Sequence, residues 1–189
     1  MKFQPPQSPD DVRQIISSLE YECVEPYRVQ SAQTTLRRGR GHCLDTSLAA
    51  AYLMEPLGYK PHILSMYFVD NLGVENGHSV FLYQTKKGYA TMGQSSYASL
   101  RGCSTPSRFL VDLIDTYETS LQDLDYFLQQ AMVEDWSTCD VAWRDSQEDL
   151  SENIQVRAAL AWDKALVSRN FFKSSSHLGG DRAWKLRPW

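Results

Sequence analysis

The stretch RRGRGHCLDTSLAAAYLMEPLGY, residues 37–59, decides how the rest of the chain is read. From Cys43 to about Met54 its pattern is helical: Ala49, Ala50 and Ala51 are strong helix formers, and Leu44, Leu48, Ala51 and Tyr52 share one stripe. Pro56 and Gly58 close the helix. So many alanines suit a helix that other backbone approaches closely, which predicts a central, buried one. At its head stands Cys43, immediately behind Gly41-His42.

Upstream, Ser8-Pro9-Asp10-Asp11 reads as a helix start, with a capping Ser, Pro at the first position and acids in the first turn. Val12, Ile15, Ile16 and Leu19 follow at helical spacing, predicting an amphipathic helix to about Glu20. Residues 24–40 read as a connection with a short helical turn around Ser31 to Leu36. Downstream, the β-branched and aromatic runs 62–69 and 78–84 predict strands, and 88–93 a third. Asp70-Asn71-Leu72-Gly73 turns the chain after the first, and Lys86-Lys87-Gly88 makes a tight link to the last.

The remaining half reads as helical. Phe109, Leu110, Leu113, Ile114 and Tyr117 form one stripe, after Thr105-Pro106-Ser107 as a start signal. Leu121, Leu124, Leu128 and Ala131 form a second, and Leu150, Ile154, Ala158, Ala161 and Ala165 a third. Trp136 and Trp143 are expected in the core. Residues 171–189 read as a Ser/Gly-rich tail. The expectation is one α+β domain over residues 1–189, with a core at about 30–97 and a helical extension at about 105–170.

Composition sets the outer limits. At 189 residues, with 42% hydrophobic and 22% charged residues, the chain is long enough to bury a core without metal or disulfide staples. A net charge of −4 argues against nucleic acid as a partner, and the cluster Arg37, Arg38, Arg40 reads as a solvated turn. No run approaches a membrane span, and MKFQPPQSPDD lacks the apolar core of a secretory signal. Cys23, Cys43, Cys103 and Cys139 form no CxxC pair, so free thiols in the cytoplasm are expected, with three of the four as packing residues.

Chemistry enters through Cys43. A helix N-terminus favours a thiolate through its unpaired N–H groups and positive dipole end, and offers the Cys43 N–H to an oxyanion. Gly41 lets the chain bend sharply there. His78 opens a strand after Asn76-Gly77, 35 residues further on, where it can serve as general base and acid. His42 reads as part of the turn. A zinc site from His42, Cys43, His62 and His78 lacks paired ligands at short spacing, so no metal or other cofactor is expected. Asp45 reads as a complement to the helix dipole.

The run from Ser31 to Phe68, followed by GHSVFLY and GYATMG, resembles the core of the transglutaminase-like superfamily, of bacterial type and papain-like in fold. The resemblance implies Cys43 as nucleophile and His78 as base. Where the family usually carries Asp late in the third strand, this chain reads Thr91-Met92-Gly93-Gln94-Ser95-Ser96, so Gln94 or Ser95 would orient the imidazole. Tyr27, Gln30 and Gln33 are upstream candidates for a second oxyanion donor. The expected activity is cysteine-dependent acyl transfer, hydrolysing a peptide or amide bond in a peptide or protein substrate. Two alternatives stand beside it: a weak or inactive member serving as a protein-binding module, and a transglutaminase that passes the acyl group to an amine.

Overall fold

A computed structural model of the chain describes residues 5–23, 28–101, 106–122, 124–139, 141–153, 167–168 and 185–186. In order, the elements are α1 (Pro9–Ser18), β1 (Glu20–Tyr21), α2 (Ala32–Arg38), β2 (Arg40–Gly41) and α3 (Cys43–Met54). There follow β3 (His62–Asp70), β4 (Glu75–Thr85), β5 (Gly88–Met92), α4 (Leu110–Gln122), β6 (Tyr126–Asp135), β7 (Val167–Ser168) and β8 (Lys185–Leu186). The main sheet runs β5-β4-β3-β6-β7-β8, antiparallel throughout. A separate parallel pair joins β1 to β2.

Local chemistry accounts for the helix starts. The Ser8 hydroxyl accepts from the Asp11 N–H at 3.2 Å, with Pro9 behind it, and Ser31 accepts from Thr34 N–H at 3.4 Å. Gly39, at φ 68°, ends α2 in the left-handed conformation. The Asp70 carboxylate accepts from the N–H groups of Leu72 and Val74, at 2.8 and 2.7 Å, and so pins the turn between β3 and β4.

The sheet has a core on each face. On one, Ile63, Phe81, Tyr83 and Met92 pack against α3 and α1; the three alanines of α3 are wholly buried and let its backbone lie close. On the other, Leu64, Met66, Phe68, Val80 and Leu82 pack against Leu113, Ile114, Tyr117 and Leu121 of α4. Trp136 and Trp143, both buried, stack edge to face at 6.3 Å and close the α3 side.

The predicted helix through Leu121, Leu124, Leu128 and Ala131 is not formed. Leu121 ends α4, Leu124 lies exposed in a turn, and Leu128 and Ala131 belong to β6, which pairs with β3. The helical spacing arises from a bulge. Tyr67 pairs with Gln130 but Phe68 with Leu128, so Gln129 is an extra residue, and two residues three apart face the same core. The described residues of the C-terminal half are therefore mixed rather than helical. Phe109, placed in the α4 stripe, is exposed. The predicted third stripe from Ile154 onward, Cys103, and most of the expected tail lie outside the described residues.

Candidate functional site

Cys43 is the first residue of α3, and His42 caps it: His42 Nδ1 accepts from the Leu44 N–H at 3.1 Å and lies 3.5 Å from the Asp45 nitrogen. Asp45 reciprocates by accepting from the His42 N–H at 3.2 Å, which makes a capping box with an imidazole in place of the usual hydroxyl. The buried Asp45 carboxylate also accepts from Gln30, through the backbone at 2.8 Å and the side chain at 3.2 Å. Burial outweighs these donors and pushes Asp45 up to about 7, while it holds His42 down at about 4. A side chain at Gly41 has no room, since a Cβ there would meet Asp45 Cβ at 2.7 Å and Thr35 Cγ2 at 3.1 Å.

Cys43 is buried, with 8% of the residue exposed. Burial pushes it up to about 11, against the backbone N–H groups of Ser79 and Leu44, which favour the thiolate. Ser79 reaches Cys43 because β5 pairs no further along β4 than Met92 with Phe81, which leaves that edge of β4 open. The N-terminal turn of α3 covers it: Ser47 Oγ donates to Ser79 O at 2.9 Å and to Cys43 O at 2.6 Å.

His78 is one residue from that contact, but its side chain points the other way. Along β4, Phe81 and Tyr83 face α3 while Val80 and Leu82 face α4, and His78 shares the second parity. Its ring lies 5.7 Å from that of Tyr117, whose hydroxyl sits 2.7 Å from Thr91 Oγ1. His78 Nε2 is buried and has no hydrogen-bond partner among the described residues, and burial holds the imidazole at about 4. No hydrogen bond joins Cys43 to His78 among the described residues. The head of α3 meets β4 beside His78, but strand parity turns the ring away from the thiol.

Of the two residues expected to orient the imidazole, Gln94 is committed elsewhere. Its Nε2 donates to the carbonyls of Ile16, Ser17 and Leu19 at 3.0, 3.1 and 3.2 Å, which caps the C-terminus of α1. Ser95 lines the same small cavity as His78, together with Tyr21, Asn76, Ser96 and Tyr97, over a floor of Phe68, Leu100 and Leu121. Its hydroxyl accepts from the Tyr97 N–H at 3.1 Å. Tyr21 connects cavity and thiol: burial, with the Cys43 and Cys23 thiols close by, pushes its hydroxyl up to about 12. Upstream, Gln30 serves Asp45 and Gln33 Nε2 donates to Tyr52 OH at 3.1 Å; Tyr27 lies outside the described residues. Sequence reading missed Tyr21, and it placed Tyr117 only as core; neither carries a local motif.

Burial of a neutral His78 has a consequence for stability. In the unfolded chain the imidazole binds a proton below about 6.5, and in the fold only below about 4, so acidification through that window favours unfolding. His42 acts in the same sense, and Asp45, raised above its unfolded value, acts in the opposite one by losing stability as pH rises toward 7. His78→Gln isolates one contribution. Urea titrations at pH 7 and pH 4 should show the variant losing about 2–3 kcal/mol less than the parent between the two. Equal losses would mean that His78 is not buried neutral.

Among the described residues no three of His, Cys, Asp and Glu come together to hold a metal ion, and no helix is long and apolar enough to cross a membrane. No family model matches the chain, and no curated protein matches it. Among solved structures it is similar to a protein from Cytophaga hutchinsonii provisionally described as a cysteine protease, at 14% identity and a TM-score of 0.37. The match covers 74% of this chain and 48% of that one, so the chain spans about half the length of the structure it matches. A likeness at that level carries no argument about chemistry.

Proposed function

We propose that the chain is a cysteine-dependent acyl-transfer protein acting on a peptide or amide carbonyl, with Cys43 as nucleophile and His78 as proton carrier. One observation supports this most: the Cys43 sulfur heads α3 against the N–H groups of Leu44 and Ser79, and Ser79 is the neighbour of His78. Thiol and imidazole both rest neutral, one raised to about 11 and the other lowered to about 4, so no ion pair is preformed. The proton then moves as the sulfur attacks, in general-base fashion.

The steps follow from that arrangement. The Cys43 sulfur bonds to the carbonyl carbon while its proton passes to His78. The Cys43 N–H holds the oxyanion, His78 returns the proton to the leaving amine, and water resolves the thioester. An amine in place of water would make the chain a transglutaminase, from the same acyl-enzyme. The reading requires the imidazole to come round the open edge of β4 beside Ser79. Ser95, in the His78 cavity, is the residue to orient it; Gln94 is occupied by α1. The substrate's own carbonyl replaces contacts the buried thiol now makes.

A second reading, a protein-binding module without turnover, is favoured by the position of the His78 ring on the α4 side of the sheet. The two separate with p-nitrophenyl acetate on the reduced protein. An enzyme should release a burst of nitrophenol and carry the acetyl group on Cys43, at least about tenfold faster than on exposed Cys23, with the rate falling about 100-fold in His78→Gln. Acetyl groups shared evenly between Cys23 and Cys43, or a His78→Gln rate equal to the parent's, would leave the binding module as the reading.

A further inference from the structure

Beside the thiol runs a second one. The parallel pair β1-β2 sets Glu20 against Arg40 and Tyr21 against Gly41, and the Glu22 N–H continues the ladder by donating to Gly41 O at 3.0 Å. Cys23 follows Glu22 directly, and Cys43 heads α3 two residues beyond Gly41, so both thiols stand just past the end of this pairing. Burial is the main cause that raises the Cys43 thiol, and the nearby Cys23 thiol adds to it. Neighbouring strands lie about 4.8 Å apart and a disulfide bridges Cα atoms roughly 4.4–6.8 Å apart, so two thiols that leave one ladder start from a spacing the bond can span. The Tyr21 hydroxyl, affected by both thiols, marks the same convergence from a third group.

We infer that Cys23 and Cys43 form a reversible disulfide under peroxide, which takes Cys43 out of use. Both are free thiols in the described structure, and they differ in access: Cys23 is exposed and Cys43 is buried. Hydrogen peroxide therefore meets Cys23 first. One peroxide oxygen bonds to the Cys23 sulfur to give a sulfenic acid, and the other leaves as water. The Cys43 sulfur then displaces hydroxide from the sulfenic sulfur, and that hydroxide takes up the Cys43 proton as a second water. Two thiols are oxidised by two electrons, one peroxide is reduced, and a dithiol reverses the step. The inference deepens the reading above, because the thiol removed is the proposed nucleophile, yet the bond itself does not depend on any turnover.

The test uses the full chain with no substrate. After hydrogen peroxide, titratable thiols should fall from four to two, and non-reducing peptide mapping should find Cys23 joined to Cys43. Reduction with dithiothreitol should return both to alkylation together. In Cys23→Ser, an exposed substitution that leaves the core intact, Cys43 should keep its thiol at the same peroxide dose. Failure to find the Cys23–Cys43 peptide at any dose, or a cross-link from Cys43 to Cys139 or Cys103 instead, overturns the inference. Either result leaves the acetylation experiment on the reduced protein unaffected, so the two readings fail separately.

Discussion

Trp143→Ala is expected to lower stability by about 3–5 kcal/mol, the range for emptying a buried indole site. Trp143 is wholly buried, its ring meets Trp136 edge to face, and its Nε1–H donates to Trp136 O at 3.0 Å. The Arg144 guanidinium lies over the same ring at 4.2 Å and pairs with Glu55 through two contacts of 2.9 and 2.7 Å. The segment is also tied in by its backbone, for Ala32 and Gln33 N–H donate to the Trp143 and Arg144 carbonyls at 2.8 and 3.0 Å. Losing the indole therefore loosens the seat of α2, which leads into the Cys43 turn. Urea unfolding should show a lower midpoint at an unchanged slope. Trp143→Phe keeps much of the packing but not the donor, so it should cost about 1 kcal/mol from the lost hydrogen bond plus a smaller cavity penalty. A Trp143→Ala loss under about 1 kcal/mol would mean that the two-tryptophan cluster is not core.

Gly88→Ala should be nearly as damaging, at about 2–5 kcal/mol, for two separate reasons. Its φ of +126° is a conformation L side chains rarely adopt, and a Cβ would lie 2.2 Å from the Ser107 carbonyl oxygen. The obstructing atom is backbone, held by reciprocal bonds between Tyr89 and Ser107 at 2.8 and 2.9 Å, so it cannot step aside without breaking that bridge. Gly73 is the natural control, because its φ is also positive, at +83°, but nothing lies near its would-be Cβ. Gly73→Ala should cost only about 1–2 kcal/mol, for the backbone conformation alone. Equal effects at the two sites would remove the Ser107 approach as a cause.

Much of the fold was legible because its signals are local. Ser8-Pro9, the alanines of α3, Gly58 and the Asp70 turn act over a few residues, and the expected bounds of α1, α3, β3 and β5 agree closely with those observed. His78 does not open its strand: β4 begins at Glu75, because pairing with β3 runs through Asn76 and Gly77, and the short β1 and β2 carry no local signal. Where the reading failed, distant pairing had altered the periodicity. The bulge at Gln129 turns a strand's alternation into a spacing of three, which no window of sequence distinguishes from a helix. Cys23 was read as packing and is exposed, because it lies past the end of β1, outside both cores.

The candidate site divides along the same line. Sequence by itself determined that a thiol heads a buried helix, that a histidine lies on a following strand, and that no carboxylate occupies the third position, since all three depend on identity and order. Only the tertiary structure decided that Gln94 spends its amide on the end of α1, that Asp45 is buried beneath Gln30, and that the His78 ring faces Tyr117. Those outcomes depend on which face of a sheet a residue occupies and on what is packed there. A one-residue change of parity reverses the first, and contacts from 15 to about 78 residues away set the second.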